Sequence, residues 1–160
     1  MKLAGIVFIL LSSAVAGLLL ERDAKRGAKQ LLSFISFLKA QRTGLECYLE
    51  APESVASDCR DPYLEEIGFL DALERGVSLR DAYGSVRESL SIPRSADQTL
   101  SDLFSSFGKG YLSSEIRALD NAISALKECY EEESKKAESR GRALKISAPT
   151  LGAGIVILLI

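Results

Sequence analysis

Two carboxylate pairs, Glu65–Glu66 and Asp71–Glu74, are the groups in this chain best placed by type and spacing for acid–base chemistry. Paired carboxylates do such work only where burial or close approach drives their pKa values apart. Both pairs fall on the polar face of an amphipathic run, which predicts solvated surface instead of a catalytic dyad. The usual helpers are missing as well. The 160 residues include no histidine and no tryptophan, so neither a Ser-His-Asp or Cys-His site nor a histidine-rich zinc site can be assembled. Three cysteines, Cys47, Cys59 and Cys129, make no Cys-x-x-Cys motif, and their odd number argues against a secreted disulfide framework. Reduced, idle thiols in the cytoplasm are expected. No phosphate-binding loop, dinucleotide fingerprint or His-Glu-x-x-His motif occurs, and Glu131–Glu133 lacks the spacing of a calcium loop. The sequence predicts a protein that is not an enzyme and holds no cofactor or metal.

What remains is an asymmetry of charge. From Glu46 to Glu74 there are nine acidic residues against a single basic one, Arg60. Solubility is one reading of that run. The functional reading is an acidic docking face, with Glu65, Glu66, Asp71 and Glu74 as its contacts, for a basic cytoplasmic partner whose association weakens with salt. Nucleic acid is not expected as that partner. All 22 acidic residues and 19 of the 20 basic ones lie between Glu21 and Lys145, so this segment carries a net charge of −3 and offers no basic field.

The elements that must position these residues begin with two apolar ends. Leu3–Leu20 is 18 residues without a charge, roughly 27 Å as a helix, close to the hydrocarbon thickness of a bilayer. Arg22, Lys25, Arg26 and Lys29 follow it, a basic flank that favours the cytoplasmic side. The alternative is a signal peptide cleaved after Ala16, within Ala14-Val15-Ala16, which would export the protein. Against that, the apolar run continues through Gly17–Leu20. Ile146–Ile160 is a shorter run of 15 residues, weakened at its first turn by Pro149. Lys135, Lys136, Arg140, Arg142 and Lys145 precede it and mirror the first basic flank. The expected domains are therefore an N-terminal transmembrane helix over 1–20, a cytoplasmic helical bundle over 21–145 and a short C-terminal transmembrane helix over 146–160.

Between the ends the pattern is helical throughout. From Arg22 to Glu50 an apolar stripe runs through Leu31, Ile35, Leu38, Leu45 and Leu49, widened by Phe34, Phe37 and Tyr48. Pro52 starts a short helix to about Cys59. Asp61-Pro62 caps another that is expected to run unbroken to Gly76. Ser78–Asp81 forms a capping box for a helix to about Leu90, and Ser95–Gln98 a second box for a helix to about Phe107. After Gly108 and Gly110, Ser113 or Ser114 caps a long helix with Ile116, Leu119, Ile123, Leu126 and Tyr130 along one face. No sustained alternation or hairpin dipeptide competes. The fold class predicted is all-α, a small bundle of five or six helices flanked by the two membrane helices.

In this order the segments resemble the stage III sporulation protein AB family of endospore-forming bacteria, over nearly the whole chain. The resemblance rests on the basic exit from the first span, the long helix from Leu31 into Leu45-Glu46-Cys47-Tyr48, and the Pro52-led short helix. It also rests on ALERGVSLRDAY (Ala72–Tyr83), FGKGYLSSEIRALDNAISAL (Phe107–Leu126) and the basic, glycine-containing terminal run. Cys47 departs from it, standing where isoleucine is common. What the resemblance implies is a non-enzymatic membrane component of the complex between mother cell and forespore, in the mother-cell membrane around the forespore. It further implies a cytoplasmic domain like the helical domains of type II secretion and type IV pilus platform proteins. By that analogy the expected partners are a cytoplasmic secretion-type ATPase (stage III sporulation protein AA), other channel subunits and membrane lipid, with room for a homo-oligomer.

Overall fold

The computed structural model describes residues 25–47 and 49–159, with side chains described as far as residue 139. All regular structure among them is helical. Helix α1 covers 25–47. It is followed by α2 (Pro52–Asp58), α3 (Pro62–Glu66), α4 (Phe69–Glu74), α5 (Leu79–Val86) and a 3₁₀ turn (Arg87–Ser89), then α6 (Arg94–Ser106) and α7 (Leu112–Leu159). Residues Gly27–Glu132 form one compact unit, and 133–159 belong to a second.

The expected transmembrane helix over 1–20 lies outside the described residues, as does Arg22. The backbone of 146–159 is the last part of α7, helical through Pro149, so no break separates it from the preceding basic stretch. Among the described residues no helix is long and apolar enough to cross a membrane.

In the compact unit the stripe on α1 points inward as its spacing requires: Leu31, Phe34, Ile35, Phe37 and Leu38 are all buried. Phe69 of α4 packs edge-on against Phe34 and Phe37 at centroid distances of 5.4 and 5.3 Å. Tyr83 of α5 lies 5.9 Å from Phe34 and 5.4 Å from Phe104 of α6. Edge-to-face contacts of this kind add about 0.5–1.5 kcal/mol each beyond the area they bury. Leu119, Ile123 and Leu126 of α7 join the same core, with Tyr130 partly buried beside it.

Several helix ends follow the sequence. Asp61 accepts from the backbone N–H groups of Tyr63 and Leu64 at 2.9 and 3.2 Å, and Ser78 accepts from Asp81 N at 3.2 Å. Gly76, at φ 78, closes α4: its own N–H reaches Leu73 O at 2.8 Å, and Val77 N reaches Ala72 O at 3.1 Å.

Others differ, each for a local reason. The helix expected to run from Asp61 to Gly76 is two helices, because Gly68 adopts φ 76 and turns the chain between them. The Ser95 box does not cap α6. Pro93 occupies the N-cap position, and the Ser95 hydroxyl lies 3.4 Å from Cys129 Sγ. Neither Ser113 nor Ser114 caps α7; the Glu115 carboxylate reaches back to accept from Gly110 N at 2.9 Å. The α1 stripe ends before Leu49, which sits past the helix at φ 56 with its side chain exposed. With seven α-helices and a 3₁₀ turn among the described residues, the element count also exceeds the five or six expected.

Two polar devices tie these helices together. The Asp97 carboxylate of α6 accepts from Arg87 Nε at 2.8 Å and from the Tyr83 hydroxyl at 2.8 Å. The Arg87 guanidinium holds the Asp97 carboxyl below its ordinary value. Burial, and then Asp97 itself, push the Tyr83 phenol far above its usual range, so it stays a neutral donor. On α1, Gln30 Oε1 accepts from Ser91 N at 2.8 Å. One turn earlier, Gly27 lets the Ser91 carbonyl in so closely that a Cβ would stand 2.3 Å from its oxygen.

Gly27→Ala is expected to destabilise the protein by about 1–3 kcal/mol, because the obstructing atom is backbone and one segment must move; urea unfolding measures this. Asp97→Asn is expected to lower stability at neutral pH. A depressed carboxylate contributes stability above the unfolded-state value and loses it as pH falls through the folded one. The gap between wild type and Asp97→Asn therefore narrows once the pH drops below about 4. A gap that stays constant to pH 2 would remove Asp97 ionisation from the account.

Candidate interaction surface

The acidic residues singled out from sequence fall on consecutive short helices. Helix α3 buries Leu64 and leaves Glu65 and Glu66 exposed. Helix α4 buries Phe69, Leu70, Ala72 and Leu73, so Asp71 and Glu74 are turned to solvent. Amphipathicity alone explains that outward placement. It does not explain the lack of compensation. Among the described residues none of the four carboxylates is ion-paired, whereas Arg42 meets Asp120 and Glu46, Arg87 meets Asp97, and Lys136 meets Glu133. Arg75, the nearest cation in sequence to Asp71 and Glu74, turns its Nε to the backbone oxygen of Asp71 at 3.0 Å and leaves the carboxylates alone.

All four carboxylates are exposed to solvent. The three cysteines are free: Cys47 is exposed, while Cys59 and Cys129 are partly buried. Burial first, and then the Asp61 carboxylate, push the Cys59 thiol above its ordinary value, which leaves it protonated and a poor nucleophile. Among the described residues no cluster of three or more His, Cys, Asp or Glu side chains could hold a metal ion.

The basic flanks are placed only in part. Lys25, Arg26 and Lys29 are exposed in the first turns of α1. Arg140, Arg142 and Lys145 lie on the helical backbone of α7 beyond the described side chains.

Three features had no signal strong enough to be picked out from sequence. In the Tyr83–Arg87–Asp97 cluster the first two members are four residues apart, but no spacing rule ties either of them to Asp97 on α6. Tyr111, at the turn into α7, is 87% exposed. Leu49 reads as a core position from its spacing on α1 yet is 72% exposed; only knowledge of where α1 stops reveals it.

The sequence matches the family model described as stage III sporulation protein AB over residues 2–160. No curated protein and no solved structure matches the chain. Given a match over essentially its whole length, and an all-helical structure among its described residues, the chain belongs to the stage III sporulation protein AB family, and its role is in sporulation.

Proposed function

We propose that the chain is a non-enzymatic platform or adaptor subunit of the complex linking mother cell and forespore. In this reading it is held in the mother-cell membrane by its apolar ends, and its helical unit faces the cytoplasm. There it docks a secretion-type ATPase, stage III sporulation protein AA, alongside other channel subunits. The observation that carries the reading is the exposed, unpaired carboxylate set on α3 and α4. A surface that keeps like charges together without counter-charges gains by meeting a basic partner, and such a contact steers association and fixes orientation. Family membership supports the sporulation context. The apolar ends with their basic flanks support the membrane placement.

The direct test is binding of the full chain, in detergent micelles, to the purified ATPase. Binding is expected to weaken steeply between low and moderate salt. Replacing Glu65, Glu66, Asp71 and Glu74 together by lysine is expected to weaken it about tenfold or more, since exposed pairs contribute roughly 0.2–1 kcal/mol each. Unchanged affinity would take the acidic face out of the interaction.

Topology is tested independently through Cys47, the exposed thiol. A membrane-impermeant maleimide is expected to label Cys47 in inside-out vesicles and to spare it in intact protoplasts. Labelling in protoplasts would place the helical unit outside, as cleavage after Ala16 predicts, and would end the platform reading.

A further inference from the structure

A cleft of about 440 Å³ opens between α1 and α2 within the compact unit. Its lining is mostly apolar, with Ala40, Gly44 and Val55 among the lining residues and Lys39, Glu50 and Asp58 as its charged groups. Gly44 allows the close approach that shapes it, since a Cβ there would stand 3.0 Å from both Glu50 Oε2 and Val55 Cγ2.

Immediately before Glu50 the chain bears two costs at one residue. Leu49 is the only non-glycine position with positive φ among the described residues, at φ 56, and its side chain is 72% exposed. Glycine would hold this turn without strain. A polar residue would hold it without placing hydrocarbon in water. Nothing in the core recovers either cost, because Leu49 is absent from the packed cluster.

Carboxylates outnumber cations in the cleft's lining. Arg42, nearby on α1, is already engaged by Glu46 and Asp120. Glu50 and Asp58 line the cleft without an ion-pair partner among the described residues, and Lys39 is the one cation of its lining. Helix α2 also packs against α4, which carries Asp71 and Glu74.

We infer that Leu49 and the α1–α2 cleft form the anchor point of the docking surface, taking a protein segment in which an apolar side chain is flanked by lysine or arginine. The inference rests on the docking function proposed above and adds where on the unit the partner's apolar residue is buried. The apolar lining and Leu49 supply area to remove from water, and the unpaired carboxylates select a basic flank. A second copy of the chain is the weaker fit, because its own cleft is acidic and would face like charge.

The test uses the full chain in detergent micelles, the purified stage III sporulation protein AA ATPase as probe, and Leu49→Gly as the variant. Glycine accepts the positive φ, so the melting temperature is expected to hold or rise, while affinity for the ATPase falls about tenfold, the worth of one buried leucine side chain. Those two readouts moving in opposite directions would establish Leu49 as a contact and not a structural residue. A second variant, Glu50→Lys with Asp58→Lys, is expected to weaken binding and to flatten its salt dependence. Wild-type binding with no loss in Leu49→Gly overturns the anchor and leaves the docking function standing. A fall in melting temperature that accompanies the lost affinity makes Leu49 a structural residue and also overturns the anchor. Loss of self-association in sedimentation, with ATPase binding intact, assigns the cleft to a second copy and overturns the proposed partner. No binding by the wild-type chain overturns the docking function itself, with the anchor that depends on it.

Discussion

The aromatic contact centred on Phe69 is the interaction on which the rest of the compact unit depends. Helix α4 has six residues, and its neighbours α2, α3 and α5 have seven, five and eight. Isolated helices of that length are not stable in water, so these exist only because they are packed. Phe69 meets Phe34 and Phe37 from α1 and Phe104 from α6, while Tyr83 closes the ring between Phe34 and Phe104. One side chain on a two-turn helix thereby holds together elements that come from well-separated parts of the chain. Gly68 makes this possible by turning the backbone just before Phe69.

The surface chemistry follows from the same arrangement. Once Phe69, Leu70, Ala72 and Leu73 are committed to the core, Asp71 and Glu74 have only solvent left. The acidic face is thus partly a by-product of packing. Its lack of partners is not. Where charge helps position helices, the chain provides the counter-charge: Arg42 with Asp120 between α1 and α7, and Arg87 with Asp97 across the junction of α5 and α6. Exposed pairs of this kind add little stability singly, yet they fix register between elements whose apolar contacts are non-directional. On α3 and α4 the chain forgoes them. The proposed docking on this face rests on that contrast more than on the number of carboxylates.

The proposed membrane placement has a different physical basis. It rests on two apolar runs and their basic flanks, a one-dimensional pattern that bilayer thickness and charge asymmetry make readable without a fold. The helical unit needs no such pattern to be compact. Its core is drawn from α1, from the short helices and from the first half of α7.

The sequence by itself determined the helical class, the inward stripes of α1 and α7, the Asp61, Ser78 and Gly76 caps, and the acidic excess between Glu46 and Glu74. Each is set by spacing or by local backbone chemistry within a few residues. Tertiary structure alone decided the break at Gly68, because a glycine inside a periodic run stops a helix only when packing on both sides rewards the turn. It also decided the failure of the Ser95 box, where Pro93 took the cap position and Cys129 of a distant helix lies beside the hydroxyl. The Tyr83–Arg87–Asp97 cluster and the Ser91 approach to Gly27 required two elements to meet before either had meaning. Leu49 is the sharpest case. Its spacing marks it as core, and its exposure follows from its lying past the end of α1 at a positive φ, just before α2. Period and capping act over one or two helical turns and can be read along the chain, whereas the side of an element that meets a neighbour is a property of the packed whole.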